Sequence, residues 1–299
     1  MEVVGVGALN VDKLFFVERI ASGGEEVEVK SWTQAPGGSA ANTIVGLSRL
    51  GIETGFIGNV GTDQEGEYIL DDLKKEGVDI TGIRRVEGST GMILGLVDAK
   101  GERALYAFPG VNDLLQITSE SLNYARKAKM LHFSSFVGER SYRAQIALLD
   151  ELSDIEISFA PGELYVRKKI KPLELIISRS SVIFLNKEEA EMLTDKSYER
   201  AADELLGMGA EVIVVTLGEG GCYVASSQTS HIIEAYKTKV VDTTGAGDAF
   251  AAGFLYGLLR GKSLPECGRL GNWVAARCIS KAGARAGLPY RDELASFLG

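Results

Sequence analysis

The chain has only three cysteines in 299 residues, Cys222, Cys267 and Cys278. They are odd in number and far apart, which excludes a disulfide framework, and they show no paired spacing of metal ligands. Thiols of this kind fit a reducing compartment, so the protein is expected to be cytoplasmic. Basic residues are scarce: 32 Lys and Arg against 41 Asp and Glu leave a net charge of −9. That balance argues against a polyanion-binding surface as the main role, hence against nucleic acid as a partner. No apolar run approaches the ~18 residues needed to cross a bilayer, and the start Met1-Glu2-Val3-Val4-Gly5 has no basic flank or cleavage site. Neither a membrane partner nor export is expected. Proline is also rare, 6 residues against 36 glycines, and glycine above the ~7% average marks many tight turns between strands and helices. With 45% hydrophobic and 24% charged residues the chain can bury a full core, which excludes disorder as its main state.

The turns punctuate an α/β alternation. Residues 3–9 read as a strand, 40–50 as a helix with Ala41, Ile44 and Leu47 at helical spacing, 55–60 as a strand and 65–75 as a helix stopped by Gly77. The second half repeats the theme, with strands at 129–134, 155–159, 182–185 and 212–217 and helices at 142–152, 187–193 and 201–208. Strands such as Val212-Ile213-Val214-Val215 are apolar on both faces, as inside a parallel sheet covered by helices. Residues 13–34 and 84–108 break the pattern with short alternating strands, which reads as a small separate antiparallel sheet placed as a lid over a cleft. The expected fold is therefore a doubly wound, mostly parallel α/β sheet flanked by helices, with a β-sheet lid, in one domain over residues 1–299. The run Arg167-Lys168-Lys169-Ile170-Lys171 reads as a solvated helix face or turn.

Two apparent nucleotide motifs fail on inspection. Gly5-Val6-Gly7-Ala8-Leu9-Asn10 follows a strand but has Asn10 where a dinucleotide fingerprint needs its third glycine. Gly261-Lys262-Ser263 resembles the end of a phosphate loop, but Tyr256 stands where the first glycine belongs and a helix precedes it.

The strongest signal is Asp242-Thr243-Thr244-Gly245-Ala246-Gly247-Asp248, between a short apolar strand at 239–241 and a helix carrying Phe250, Phe254, Leu255, Leu258 and Leu259. At such a junction the free N–H groups and the helix dipole accept an anion, and Gly245 and Gly247 permit its close approach. Asp248 would lie beside that anion, ionised and able to take a proton from an attacking hydroxyl, or would serve only as a favourable charge at a helix start. A second glycine loop, Pro36-Gly37-Gly38-Ser39-Ala40-Ala41-Asn42, also opens a helix. There Asn42 can donate to and accept from vicinal hydroxyls, and Asp12 suits the same polyol; tight helix packing and a turn aspartate are the alternatives.

The run from Gly37-Gly38 to Asn42, with Asp242 to Asp248 some 200 residues later, resembles the two signatures of the ribokinase-like (pfkB) family of carbohydrate and nucleoside kinases. Weaker features follow in the family's order. Asn186-Lys187-Glu188-Glu189 matches Asn-x-x-Glu, associated with Mg2+ and phosphate. Thr216 to Gly221, with Thr216, Gly218 and Gly221, resembles the nucleotide loop, while Asn272, Gly283 and Ala284 fall where the family contacts adenosine. The resemblance implies a cytoplasmic, Mg2+- and ATP-dependent phosphotransferase. In it Asp248 is the base, Gly245, Ala246 and Gly247 form the anion hole, Asp12, Gly37, Gly38 and Asn42 bind the acceptor, and Glu189 acts indirectly on the metal. A homodimer through the lid is expected.

The acceptor implied is a hydroxymethyl group of a sugar or sugar derivative, with a nucleoside such as adenosine or cytidine, or fructose 6-phosphate, as alternatives and a non-catalytic sugar-binding regulator as a rival of another class. Ala160-Pro161-Gly162 departs from the family, many of whose sugar kinases carry an acid there. Ser134, Ser135 and Glu139 follow a central strand and are candidates for the pocket wall. Arg103 and Asn112 are either acceptor contacts or solvated lid residues.

Overall fold

The computed structural model describes residues 1–298. In chain order its strands are β1 (Val3–Val6), β2 (Asn10–Val17), β3 (Val29–Gly37), β4 (Thr54–Gly61), β5 (Ile83–Val86), β6 (Gly91–Val97), β7 (Arg103–Phe108), β8 (Met130–Ser134), β9 (Glu156–Ala160), β10 (Val182–Asn186), β11 (Val212–Thr216), β12 (Cys222–Ser226) and β13 (Ser230–Ile233). Its α-helices are α1 (Ser39–Arg49), α2 (Gln64–Lys75), α3 (Ser119–Ala125), α4 (Glu139–Glu151), α5 (Gly162–Val166), α6 (Ile170–Ser178), α7 (Lys187–Thr194), α8 (Tyr198–Gly207), α9 (Ala246–Leu259), α10 (Leu264–Cys278) and α11 (Arg291–Leu298). No described helix is long and apolar enough to cross a membrane.

Nine strands form the main sheet in the order β13-β12-β11-β10-β9-β8-β1-β4-β5. From β5 to β11 every pairing is parallel, and β12 and β13 close the far edge antiparallel. After β1 the chain adds β4 and β5 on one side and β8 to β11 on the other. The strand order therefore reverses at β1, and a crevice opens beyond the carboxyl ends of the strands at that point. One core packs α1, α2, α9, α10 and α11 on one face of the sheet, and a second packs α3 to α8 on the other. Helix α9 is apolar all round because it lies in the middle layer: Phe250 and Phe254 meet Phe184 of β10 edge-on, Gly253 faces the α10 backbone, and Ala252 faces Gly46 of α1.

The lid is a second sheet of four strands, β3-β2-β6-β7. Its outer pairs are antiparallel as expected, while the central pair, β2 with β6, is parallel. Its limits differ from the sequence reading at both ends. Arg84 lies in β5, at the edge of the main sheet, because residues 83–86 extend parallel to β4 before the chain turns into the lid. The first lid strand starts at Asn10, so β1 stops at Val6 and Asp12 rides on the lid itself. The expected strand at 239–241 is absent: those residues are exposed coil, tied to the body by the Val241 N–H donating to the Ile279 carbonyl.

The failed motifs have packing roles. Gly5 and Gly7 let α1 approach the sheet, since a Cβ there would fall within 3 Å of Ile44 and Ala40. Ser263 caps α10 in a reciprocal box with Glu266.

Candidate active site

Both glycine loops end at helix starts above the crevice. Helix α9 begins after Gly245, whose φ of 75° is the left-handed conformation that glycine adopts without strain, and a Cβ there would also strike Ala284. Above Gly247 the space is open, with no atom within 4 Å of where a Cβ would project. Asp242 organises the turn before it. Its carboxylate accepts from the Thr244 N–H (3.0 Å), the Thr244 hydroxyl (2.7 Å), the Gly283 N–H (2.9 Å) and Arg103 (3.1 Å). Burial alone would raise its pKa, but these bonds outweigh it and hold the group well below the usual carboxylate range.

Asp248 sits in the first turn of α9 and is tied to the other loop. Ser39 Oγ donates to Oδ1 at 2.6 Å and Asn42 Nδ2 to Oδ2 at 2.9 Å. Asn42 is oriented in turn by Arg285, whose Nε donates to its Oδ1 at 2.8 Å and whose guanidinium is paired with Asp72. Burial pushes the Asp248 carboxyl up, while the hydrogen bonds from Ser39 and Asn42 and the charge of Arg285 pull it back. Across the cleft is Asp12. A Cβ on Gly37 would fall 2.4 Å from its Oδ1, so glycine leaves this carboxylate its room, and that oxygen is buried without a hydrogen-bond partner. Burial raises Asp12 to about 6, with the Arg285 charge opposing and that of Asp248 adding.

Two cavities meet at Asp248 and Ser39, which line both. One, of about 260 Å³, lies under the lid and holds Asp12, Asn42, Ile93 and Phe136. The other, of about 120 Å³, runs over Gly247 to Asn186, Glu189 and Thr216 at the ends of β10 and β11. A carboxylate at the junction of a polar pocket and an anion-binding helix start can take a proton from a hydroxyl in the first and pass the oxygen to an electrophile in the second.

Residues 1–291 match the model of the pfkB family of carbohydrate kinases. The chain belongs to this family. An uncharacterized sugar kinase of Archaeoglobus fulgidus is 44% identical over 82% of this chain and 98% of that protein. An ATP-dependent ribose-1-phosphate kinase of Halopiger xanaduensis is 31% identical over 100% of this chain and 98% of its own length. Among solved structures, a ribokinase from Thermotoga maritima superposes with a TM-score of 0.87 at 25% identity, covering 99% of both chains.

In this pfkB-family kinase the expected site residues fall into distinct groups. Asp248, Gly247, Asn186, Glu189 and Thr216 share the smaller cavity, and Asp12, Gly38, Asn42, Ser134 and Ser135 share the other, where Ser134 Oγ accepts from the Ala40 N–H. Asn42 is first of all engaged with Asp248 and Arg285, which leaves one amide hydrogen for an acceptor. The Ala246 N–H donates to the Thr243 carbonyl and is committed to the turn. Asn186 and Glu189 cap α7 reciprocally, at 2.7 and 2.9 Å. Gly218 and Gly283 have open space above them, whereas Gly221 is pressed on the Ile233 carbonyl and Ala284 on Gly245. Asn272 is buried and donates to the carbonyls of Ile233 and Glu234, so it anchors the end of β13.

Three further candidates are held by specific contacts. Glu139 points away from the cavity, into ion pairs with Arg143 and Lys168. Asn112 lines the cavity under the lid, is buried, not solvated, and clamps Leu9 through both the N–H and the carbonyl of that residue. Arg103 leaves the lid to bond Thr244 and Asp242, joining lid to anion loop. Sequence reasoning missed Ser39 as a partner of Asp248 and Arg285 as a partner of Asn42. Arg285 carries no local signal, since Asn42 and Asp72 lie 243 and 213 residues away.

The raised Asp12 makes a stability prediction. Its pKa in the folded state, about 6, lies above the ordinary 3.8, so the folded state binds the proton more tightly. Stability therefore falls as pH rises between those values, and the ionised group destabilises the fold above about 6. Asp12→Asn is expected to stabilise the protein at pH 7 by on the order of 1–3 kcal/mol, with the gain vanishing below about pH 4. Denaturant unfolding at both pH values checks this, and a destabilised variant at pH 7 would contradict it.

Proposed function

We propose that the protein transfers the γ-phosphate of ATP to a hydroxymethyl group of a sugar or sugar derivative, with Asp248 as the base. The observation that carries this reading is the position of Asp248, held from both loops where the two cavities meet. The acceptor lies under the lid, its hydroxyls donating to Asp12 and facing the free amide hydrogen of Asn42. Asp248 accepts the proton of the hydroxymethyl group as its oxygen attacks phosphorus. The elevation of its pKa by burial makes it a stronger base than a solvated aspartate. The open face of Gly247 and the first-turn N–H groups of α9 receive the charge on the transferring group.

Among the described residues no cluster of three His, Cys, Asp or Glu side chains forms a metal cage. That suits Mg2+, which keeps its waters and leans on phosphate oxygens. Glu189, with Asn186 beside it, faces the phosphate-side cavity and would hold the ion indirectly, where it neutralises phosphate charge. Burial, together with the charge of Asp248, pushes the Glu189 carboxyl up, so a nearby cation would favour its ionised form. The adenosine end of ATP is assigned to the open surface over Gly218 and Gly283.

A panel of pentoses, hexoses, hexose phosphates and nucleosides with MgATP, read as ADP release, tests the reading. Release that depends on an added acceptor is expected. ATP-independent binding without turnover for every acceptor would instead favour a regulator.

The lid supports a homodimer. Among the described residues the outer edges of β3 and β7 pair with no further strand, and Trp32, Leu105 and Tyr106 on the lid are 57%, 60% and 61% exposed. Unpaired edges with apolar side chains invite pairing with another copy. Sedimentation at micromolar concentration is expected to give a dimer mass that reverts to a monomer with Leu105→Lys, and a monomeric wild-type protein would refute the assembly.

A further inference from the structure

The cavity under the lid carries three carboxylates, Asp248, Asp12 and Asp113, and among the described residues no lysine, arginine or histidine lines it. Two of these groups present a buried oxygen with no hydrogen-bond partner, Oδ1 of Asp12 and Oδ1 of Asp113. Buried acceptors without donors are costly unless a ligand completes them. Asp113 is also fixed in place. It belongs to the 3-10 turn Gly110–Leu114, whose Asn112 is clamped to Leu9 at 2.9 Å through both side-chain atoms and whose Asn112 carbonyl accepts from Ser141 Oγ at 2.6 Å. Its carboxylate sits against Gly138, the residue that precedes α4, where a Cβ would fall 1.4 Å from Oδ1.

Of the cations on the elements that border the cavity, Arg140 of α4 is exposed and does not line it, and those nearest the site are matched. Arg285 is paired with Asp72, Arg103 with Asp242, Lys168 with Glu139, Arg167 with Glu163 and Lys13 with Glu65. A phosphate or carboxylate on the acceptor, away from the reacting hydroxymethyl group, would meet like charges and no cationic side chain in the cavity lining. Hydroxyl groups would instead donate to the two unpartnered oxygens. A cavity of about 260 Å³, just under the ~300 Å³ at which drug-sized sites begin, suits a single sugar ring.

We propose that Asp113, together with Asp12, is a specificity-determining residue that restricts the acceptor to an uncharged polyol and rejects acceptors bearing a phosphate or carboxylate. This rests on the kinase reading only in taking the cavity as the acceptor site. It separates this chain from relatives such as the ribose-1-phosphate kinase, whose named acceptor is anionic.

Calorimetry without nucleotide, on matched pairs of ribose with ribose 1-phosphate and fructose with fructose 6-phosphate, tests it. The neutral member of each pair is expected to bind roughly 100-fold or more tightly, since uncompensated like charge opposes the other. Asp113→Asn keeps the size and an acceptor oxygen but removes the charge. It is expected to narrow that ratio to about tenfold or less, through a gain in affinity for the anionic member of each pair. Asp113→Ser, run in parallel with a thermal unfolding curve for each variant, separates charge from misfolding. Equal or tighter binding of the phosphorylated member by the wild type, or an unchanged ratio in a folded Asp113→Asn protein, would overturn the proposal. Because binding is read without turnover, a protein that prefers neutral sugars yet consumes no ATP would contradict the kinase reading alone.

Discussion

Keeping a carboxylate in a partly buried cleft is the constraint around which the site is built. Burial of Asp248 disfavours its charge, and the surroundings answer with the dipole at the start of α9, two hydrogen bonds from α1 and the charge of Arg285 transmitted through Asn42. Those bonds exist only because α1 and α9 pack closely. Gly46 faces Ala252 at the crossing, where a Cβ would fall 2.7 Å from the alanine methyl. Larger residues there would push Ser39 and Asn42 out of reach of Asp248. Arg285 in turn depends on Asp72 of α2, so the ionisation of one aspartate reaches across three helices.

The lid shares in the chemistry. Asp12 sits on β2 and the glycine loop is continuous with β3, so the strand pair that covers the cleft also supplies groups that line the cavity proposed for the acceptor. On its other hairpin Arg103 reaches Thr244 and Asp242, next to the anion turn. Acceptor side and phosphate side are thus joined through the lid as well as through Asp248.

Much of this was legible in the sequence for physical reasons. Strands apolar on both faces, such as Val212 to Val215, mark a parallel sheet, and Gly77 ends α2 with a φ of 75° as a helix-stopping glycine should. The glycine loops announced two helix starts with space for ligands. What was not legible depends on contacts between distant segments. The strand expected at 239–241 has β-favouring residues but no neighbouring edge to pair with, and residues 83–86 look like lid strands until β4 is seen to supply a partner. Arg285 reads as an ordinary surface arginine until Asn42 and Asp72 surround it. Asn272 and Asn112 carry the polarity of ligand contacts, yet both complete backbone hydrogen bonds inside the fold.

The most direct measurement of the central claim is turnover by Asp248→Asn. Asparagine keeps the shape of the helix start and its N–H groups but cannot accept the proton. In a variant whose unfolding midpoint matches or exceeds the wild type, kcat is expected to fall by ~10²–10⁴ with nucleotide affinity retained or tightened, since a like charge beside the phosphates is gone. A folded Asp248→Asn protein turning over near the wild-type rate would contradict the account.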